Sequence, residues 1–196
     1  MTNQEWIEII KAEKESMCDY WALDKIASKY NLMIGSGATK YCLIDEKGSS
    51  VIKWNKDTSY TSDIDKECEN YQKALEKGIG FLFPKTEILY EEKEFRVIIQ
   101  EKVDTSYADM KREAKQKLRH QCRTVSSSFV YKVQENIYKD RTPDDWVRAL
   151  ICIYGKKITR KFEEFTHEQK INDLHGNNVG FLNGKPVVLD FSGYHH

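Results

Sequence analysis

The chain of 196 residues lacks a net charge: 31 Lys and Arg stand against 31 Asp and Glu. No global field therefore draws it to nucleic acid or to an anionic membrane, and nucleic acid is not an expected partner. No apolar run approaches the roughly 18 residues of a membrane span, and the first residues lack the basic-then-apolar pattern of a secretory signal. The cysteines, Cys18, Cys42, Cys68, Cys122 and Cys152, are odd in number and have no CxxC spacing. That argues against a paired disulfide framework and for reduced, mostly buried thiols. These absences predict a cytoplasmic protein without a membrane partner. There is no internal repeat and no low-complexity linker, and the length suits one good core or two small lobes. His195 and His196 fit either a native end or the remnant of a tag.

Thr2 followed by Glu5 reads as a capping box, and Trp6, Ile9, Ile10, Met17, Tyr20 and Trp21 recur as on one face of a helix or helix pair reaching about Ser28. From Asn31 the runs "NLMIGSG", "TKYCLI" and "VIKW" are β-type, broken by Gly or polar clusters. A helix follows from Ser62 or Asp63, with the stripe Ile64, Cys68, Tyr71 and Leu75. Two strands, "KTEILYEE" and "EFRVIIQEKV", come next. Residues 107–165 read as helical, with a helix start at "RTPDDW" in which Thr142 is the N-cap and Pro143 the first helical residue. A Gly/Asn-rich loop then leads to "NVGFL" and "PVVLDF", joined by an Asn-Gly hairpin turn at Asn183 and Gly184.

Three places could carry chemistry. "GSGATK", residues 35–40, lies between two β-runs, where glycines let backbone amides approach phosphates; alone it is more often plain turn chemistry. Lys53 puts an ammonium inside an apolar strand. It either snorkels to solvent or needs a buried carboxylate, for which the next helix offers Glu67 beside the apolar stripe and Glu69 on a more exposed face. Asp173 and Asn178 share a loop, and Asp190 ends a strand. Singly they are turn residues; together, with a hairpin between them, they suggest a metal site.

In this order the motifs resemble those of the protein kinase superfamily. "GSGATK" resembles the GxGxxG loop, "VIK" the strand motif VAIK, "DLHGNN" the catalytic loop DLxxxN, and "LDFSG" the DFG motif. The resemblance spans about residues 31–193. It implies an α+β, bilobal protein-kinase-like fold. Residues 1–30 would be a helical extension and 31–103 an N-lobe with a five-stranded antiparallel sheet and one helix. Residues 104–196 would be a small, mostly helical C-lobe truncated after the DFG-like motif. It further implies ATP and Mg²⁺ as cofactors. Gly35, Ser36, Gly37 and Lys40 would lie over the phosphates, Lys53 would contact them while paired to Glu67, and the backbone of Glu101 and Val103 would bind adenine beside Gln100 as gatekeeper. Asp173 would accept the substrate hydroxyl proton, and Asn178 and Asp190 would hold the metal.

Some positions depart from the family pattern. Lys40 replaces the third loop glycine, which stiffens the loop or adds a cation near the phosphates. Ile171 and His175 replace the usual His and Lys of the catalytic loop, so "DLHGNN" is closer to antibiotic and choline kinases. Ser192 replaces the DFG glycine. The resemblance implies an ATP-dependent phosphotransferase acting on a hydroxyl of a protein or small molecule. The alternative is a pseudokinase that binds nucleotide or partners without turnover, and AMP transfer is a third possibility known among atypical relatives. The basic run "KREAKQKLRH", residues 111–120, reads first as a solvated helix face and second as a surface for a phosphorylated or nucleic-acid partner.

Overall fold

A computed structural model describes residues 1–37, 39–56, 62–93, 95–137 and 142–193. Ala38, His195, His196 and the side chains of Ser36 and Ser62 lie outside the described residues. Among those described are six α-helices, a five-stranded antiparallel sheet and a three-stranded one. The chain divides into two compact units, Met1–Glu69 with Lys85–Lys102, and Asn70–Pro84 with Val103–His196. No described helix is long and apolar enough to cross a membrane.

In the first unit, α1 (Asn3–Met17) opens with Thr2 and Glu5 capping one another, so two amides at the helix start are satisfied. Asp19 then accepts from the Trp21 amide at 2.9 Å and starts α2 (Tyr20–Tyr30), which ends at Asn31 in the left-handed region, φ 54°. The new cap resets the helical phase. Leu23, Ile26 and Ala27 therefore face the core, while Tyr20 and Trp21 are exposed, Trp21 by 77%. The expected apolar face therefore includes Trp6, Ile9, Ile10 and Met17 but not Tyr20 and Trp21.

Strands β1 (Met33–Ser36), β2 (Lys40–Ile44), β3 (Ser50–Asn55), β4 (Thr86–Glu92) and β5 (Phe95–Glu101) pair in the order β1-β2-β3-β5-β4. Period-two alternation gives the sheet two unlike faces. Tyr41, Leu43, Ile52, Trp54 and Val97 pack with Trp6, Ile9, Ile10, Met17 and Leu23 of α1 and α2. The Trp54 indole donates to the Met17 carbonyl at 3.1 Å, which pins the end of α1 to the sheet. Lys40, Cys42, Lys53 and Gln100 occupy the opposite face, because Cys42 stands across from Lys53 and Val51 across from Gln100.

Helix α3 (Ser62–Glu76) follows. Its buried face differs from the predicted stripe: Ile64, Glu67, Asn70, Tyr71 and Ala74 are buried, while Leu75 is 48% exposed. Hydrophobic periodicity misses such a face because two of its members are polar.

The second unit has β6 (Thr105–Ser106), β7 (Val179–Leu182) and β8 (Lys185–Val188), and the helices α4 (Arg112–Gln121), α5 (Ser127–Ile137) and α6 (Asp144–Glu168). The Asn-Gly turn joins β7 to β8 with φ of 51° at Asn183 and 71° at Gly184, the backbone that a type I′ turn requires. The two residues of β6 are too few to alternate visibly, and only pairing with β7 defines them. The helix start at "RTPDDW" is displaced. Pro143 is extended, with ψ 127°, and caps a helix that begins at Asp144, while the buried Thr142 hydroxyl makes no cap bond. Gly155, at φ 76°, breaks α6, and its second half carries Phe162 and Phe165 into a core with Trp146, Phe83 and Phe191. Helix α4 buries no residue, although Leu118 packs partly against the core of this unit and Lys115 lies over the Tyr107 ring.

At its edge, Arg119 donates to the buried Asp145 carboxylate at 2.7 Å, and the Tyr107 hydroxyl donates to the same group at 3.1 Å. Burial first, and then the Asp145 charge, push the Tyr107 phenol from 10.0 up to about 12. The native state therefore keeps this proton where the unfolded chain releases it. The resulting stability is complete below about pH 10 and is lost as pH rises through about 12. Tyr107→Phe should flatten the fall of the urea midpoint over that window while leaving part of it, since burial raises Tyr154 likewise. A slope identical to wild type would show that Tyr107 does not contribute.

Candidate functional site

Two sets of chemistry-bearing side chains are assembled, one in each unit. In the first, the Glu67 carboxylate is fully buried. Two ammonium groups meet on the same oxygen: Lys40 Nζ donates to Oε1 at 3.1 Å, and Lys53 Nζ lies 3.6 Å from it. The other oxygen, Oε2, accepts from Gln100 Nε2 at 3.3 Å, and that amide also donates to Thr86 Oγ1 at 3.0 Å. Burying a carboxylate is costly unless it is paired and hydrogen-bonded, and this network supplies both. Glu69, by contrast, is 59% exposed and lies near Lys66, so the structure brings Glu67 rather than Glu69 to Lys53.

The glycine-bearing turn lies at the edge of this network. The Gly37 amide donates to the Lys40 carbonyl at 3.0 Å, and Thr39 Oγ1 donates to Asp63 Oδ2 at 2.6 Å. A Cβ at Gly35 would stand 2.5 Å from Cys42 Sγ, so a side chain there would force the Cys42 thiol to move, whereas nothing lies within 4 Å of one at Gly37. Burial holds the Cys42 thiol above its ordinary range, against the pull of Lys53, and keeps it protonated. The Glu101 amide donates to the Lys85 carbonyl at 2.9 Å, and Val103 is half-buried.

In the second unit the 171–178 loop brings Asp173 and Asn178 together. Asn178 Nδ2 donates to the Asp173 carbonyl at 2.9 Å and to its Oδ2 at 3.1 Å. His175 Nδ1 accepts from the Asn177 amide at 3.2 Å, so a neutral ring carries its proton on Nε2, which points to Asp173 Oδ2 at 3.5 Å. Asp190 follows β8 and accepts from Ser192 Oγ at 3.2 Å. The next residue, Phe191, is fully buried against Phe83, with ring centroids 4.9 Å apart. Its carbonyl accepts from the buried Asn70 amide at 2.6 Å. Gly193 has φ 85° and lies so close to the chain that a Cβ would be 3.0 Å from the Lys170 carbonyl, which makes glycine a requirement there.

Three contacts escaped the sequence: Thr39 with Asp63, Gln100 with Glu67, and Asn70 with Phe191. Only the strand register carries a signal for Lys40, which stands two residues before Cys42 and so on the face of Lys53. No group of three or more His, Cys, Asp or Glu that could hold a metal occurs among the described residues.

No family model matches the chain, and no curated protein matches it. Among solved structures it is similar to a chain of the streptomycin–ATP–APH(2'')-IIa ternary complex, at 16% identity and a TM-score of 0.43, over 89% of this chain and 70% of that one.

Removal of the carboxylate shared by two poorly exposed lysines should be severe. Glu67→Ala should lower the unfolding free energy by about 3–5 kcal/mol in urea, whereas Glu69→Ala should change it by less than about 0.5 kcal/mol. Equal small effects would show that the network does not hold the unit together.

Proposed function

We propose that the chain is an ATP- and Mg²⁺-dependent phosphotransferase of the protein-kinase-like type, acting on a hydroxyl group of a small molecule or a protein. The observation that carries this reading is the buried Glu67 carboxylate facing Lys53 on a five-stranded antiparallel sheet next to the Gly35–Gly37 turn. A strand lysine oriented by a helix carboxylate is the arrangement that positions nucleotide phosphates in protein kinases. In the proposed site Lys53 contacts the phosphates, Gly35, Ser36 and Gly37 cover them, and the backbone of Glu101 and Val103 takes the adenine edge.

Asp173 is the proposed base: it accepts the proton of the acceptor hydroxyl while that oxygen attacks the terminal phosphorus and the bond to ADP breaks. Asn178 holds Asp173 Oδ2 in a fixed direction, and His175 flanks the same oxygen. Asn178 Oδ1 and the Asp190 carboxylate are hard oxygen donors, which suit Mg²⁺. Their small number also suits it, because this ion is commonly held by one or two carboxylates together with phosphate oxygens and water. When bound, Mg²⁺ would neutralise charge on the transferred phosphoryl oxygens.

The experiment is incubation of the purified protein with Mg²⁺ and ATP, followed by thermal unfolding and intact-mass measurement with candidate acceptors. Nucleotide bound to the native state raises the midpoint by mass action, and a mass gain on protein or acceptor distinguishes phosphate from AMP. Asp173→Ala should lower turnover by roughly 10²–10⁴-fold while leaving the ATP-induced shift in place. Stabilisation without any transfer would replace this reading by that of a nucleotide-binding module. Neither stabilisation nor transfer would overturn it.

A further inference from the structure

The turn that carries the glycines is fastened to α3 at two points. Thr39 Oγ1 donates to Asp63 Oδ2 at 2.6 Å, and one residue later Lys40 Nζ donates to Glu67 Oε1 at 3.1 Å. Asp63 and Glu67 are four apart and therefore lie on one face of the helix. Lys40 is well buried, yet as the first residue of β2 it directly follows the turn, and its carbonyl accepts from Gly37. Lys40 also makes the shorter approach to Glu67, 3.1 Å against 3.6 Å for Lys53. Two ammonium groups on one carboxylate oxygen repel each other, and a desolvated setting strengthens that repulsion. Such a convergence is most favourable when a polyanion joins it.

We propose that Lys40 is a second phosphate-binding ammonium of the site and that the Thr39–Asp63 contact is what positions it. This rests on the phosphotransferase reading and adds to it a direct ammonium role for Lys40, at the third-glycine position of the loop, and a positioning pair, Thr39 and Asp63. Glu67 acts as the common counter-ion, held through its other oxygen by Gln100, so that both lysines keep their direction. The ligand recognised in this way is the polyphosphate chain itself, independent of the base attached to it. A phosphate oxygen arriving at Lys40 and Lys53 takes over part of the ammonium hydrogen bonding that Glu67 Oε1 receives without ligand. Thr39, bonded to Asp63, keeps the turn from withdrawing when that exchange occurs.

The test uses calorimetric titration of the whole chain with inorganic tripolyphosphate and, separately, with ATP. Lys40→Met should weaken tripolyphosphate binding by roughly tenfold or more, the scale of a lost hydrogen bond to a charged group. Thr39→Val, which keeps shape and removes only the hydroxyl, should weaken it roughly three- to tenfold, and Thr39→Ser should restore it. The double variant Thr39→Val/Lys40→Met should lose little beyond Lys40→Met alone, because Thr39 acts through Lys40. A merely structural contact would shift the unfolding midpoint without this non-additivity in binding. Unchanged affinity in Lys40→Met, or strictly additive losses, would overturn the proposal. If Lys40→Met does not fold, the half-buried Thr39 decides alone: equal binding by Thr39→Val and wild type would overturn it.

The two ligands keep the proposals apart. Tripolyphosphate binding that depends on Lys40, without ATP binding, supports this inference and overturns the nucleotide reading. ATP binding that is indifferent to Lys40 does the reverse. If wild type binds neither, both fall.

Discussion

Glu67 is the constraint on which the first unit depends. A carboxylate with no solvent exposure must find cations and donors or lose its charge, and every element around it contributes one. β2 brings Lys40, β3 brings Lys53, and β5 brings Gln100, itself fixed by Thr86 of β4. The antiparallel register makes this possible, since it sets Cys42 across from Lys53 and Val51 across from Gln100 and so collects the polar groups on one face. A slip of one residue in any pair would exchange that face with the one bearing Tyr41, Leu43, Ile52 and Trp54. The hydrophobic contact with α1 and α2 therefore protects the polar network by making such a slip costly.

The second unit meets a different demand: two short loops must be held still. Asp173 and Asn178 close one through the amide bonds of Asn178. The other, Asp190 to Gly193, is anchored by Phe191. Its ring sits in the aromatic cluster with Phe83, and its carbonyl is taken by Asn70. Burial of a large side chain contributes about 1.5–3 kcal/mol, enough to keep so short a segment in one conformation. The positive φ at Gly193 lets the chain pass the Lys170 carbonyl at close range. Ser192 is employed locally as a donor to Asp190.

Several sequence expectations failed for definable reasons. The aromatic face of the first helices ended at Met17 because Asp19 caps a new helix out of phase with the old. The α3 stripe was drawn through Leu75, which is half exposed, and missed Asn70 and Ala74, which are buried, because period counting scores polar residues as surface. Thr142 looked like an N-cap by residue type, yet the extended backbone of Pro143 places the helix start one residue later. Residues 107–165 read as helical with a helix start at "RTPDDW", and among the described residues they contain three helices; the break of the last at Gly155 was not expected.

By itself the sequence determined what local interactions determine. These are the capping box of Thr2 and Glu5, the I′ turn at Asn183 and Gly184, the alternation of the sheet strands, and the set of residues able to carry chemistry. Each depends on neighbours within a few positions, where backbone geometry and side-chain hydrogen bonds leave few options. Tertiary structure alone decided which of those residues meet. Lys40 reaches Glu67 across 27 residues, Gln100 reaches it across 33, and Asn70 reaches Phe191 across 121. Such partners are chosen by strand register and by the demand that buried polar groups be satisfied, and both exist only once the chain has folded.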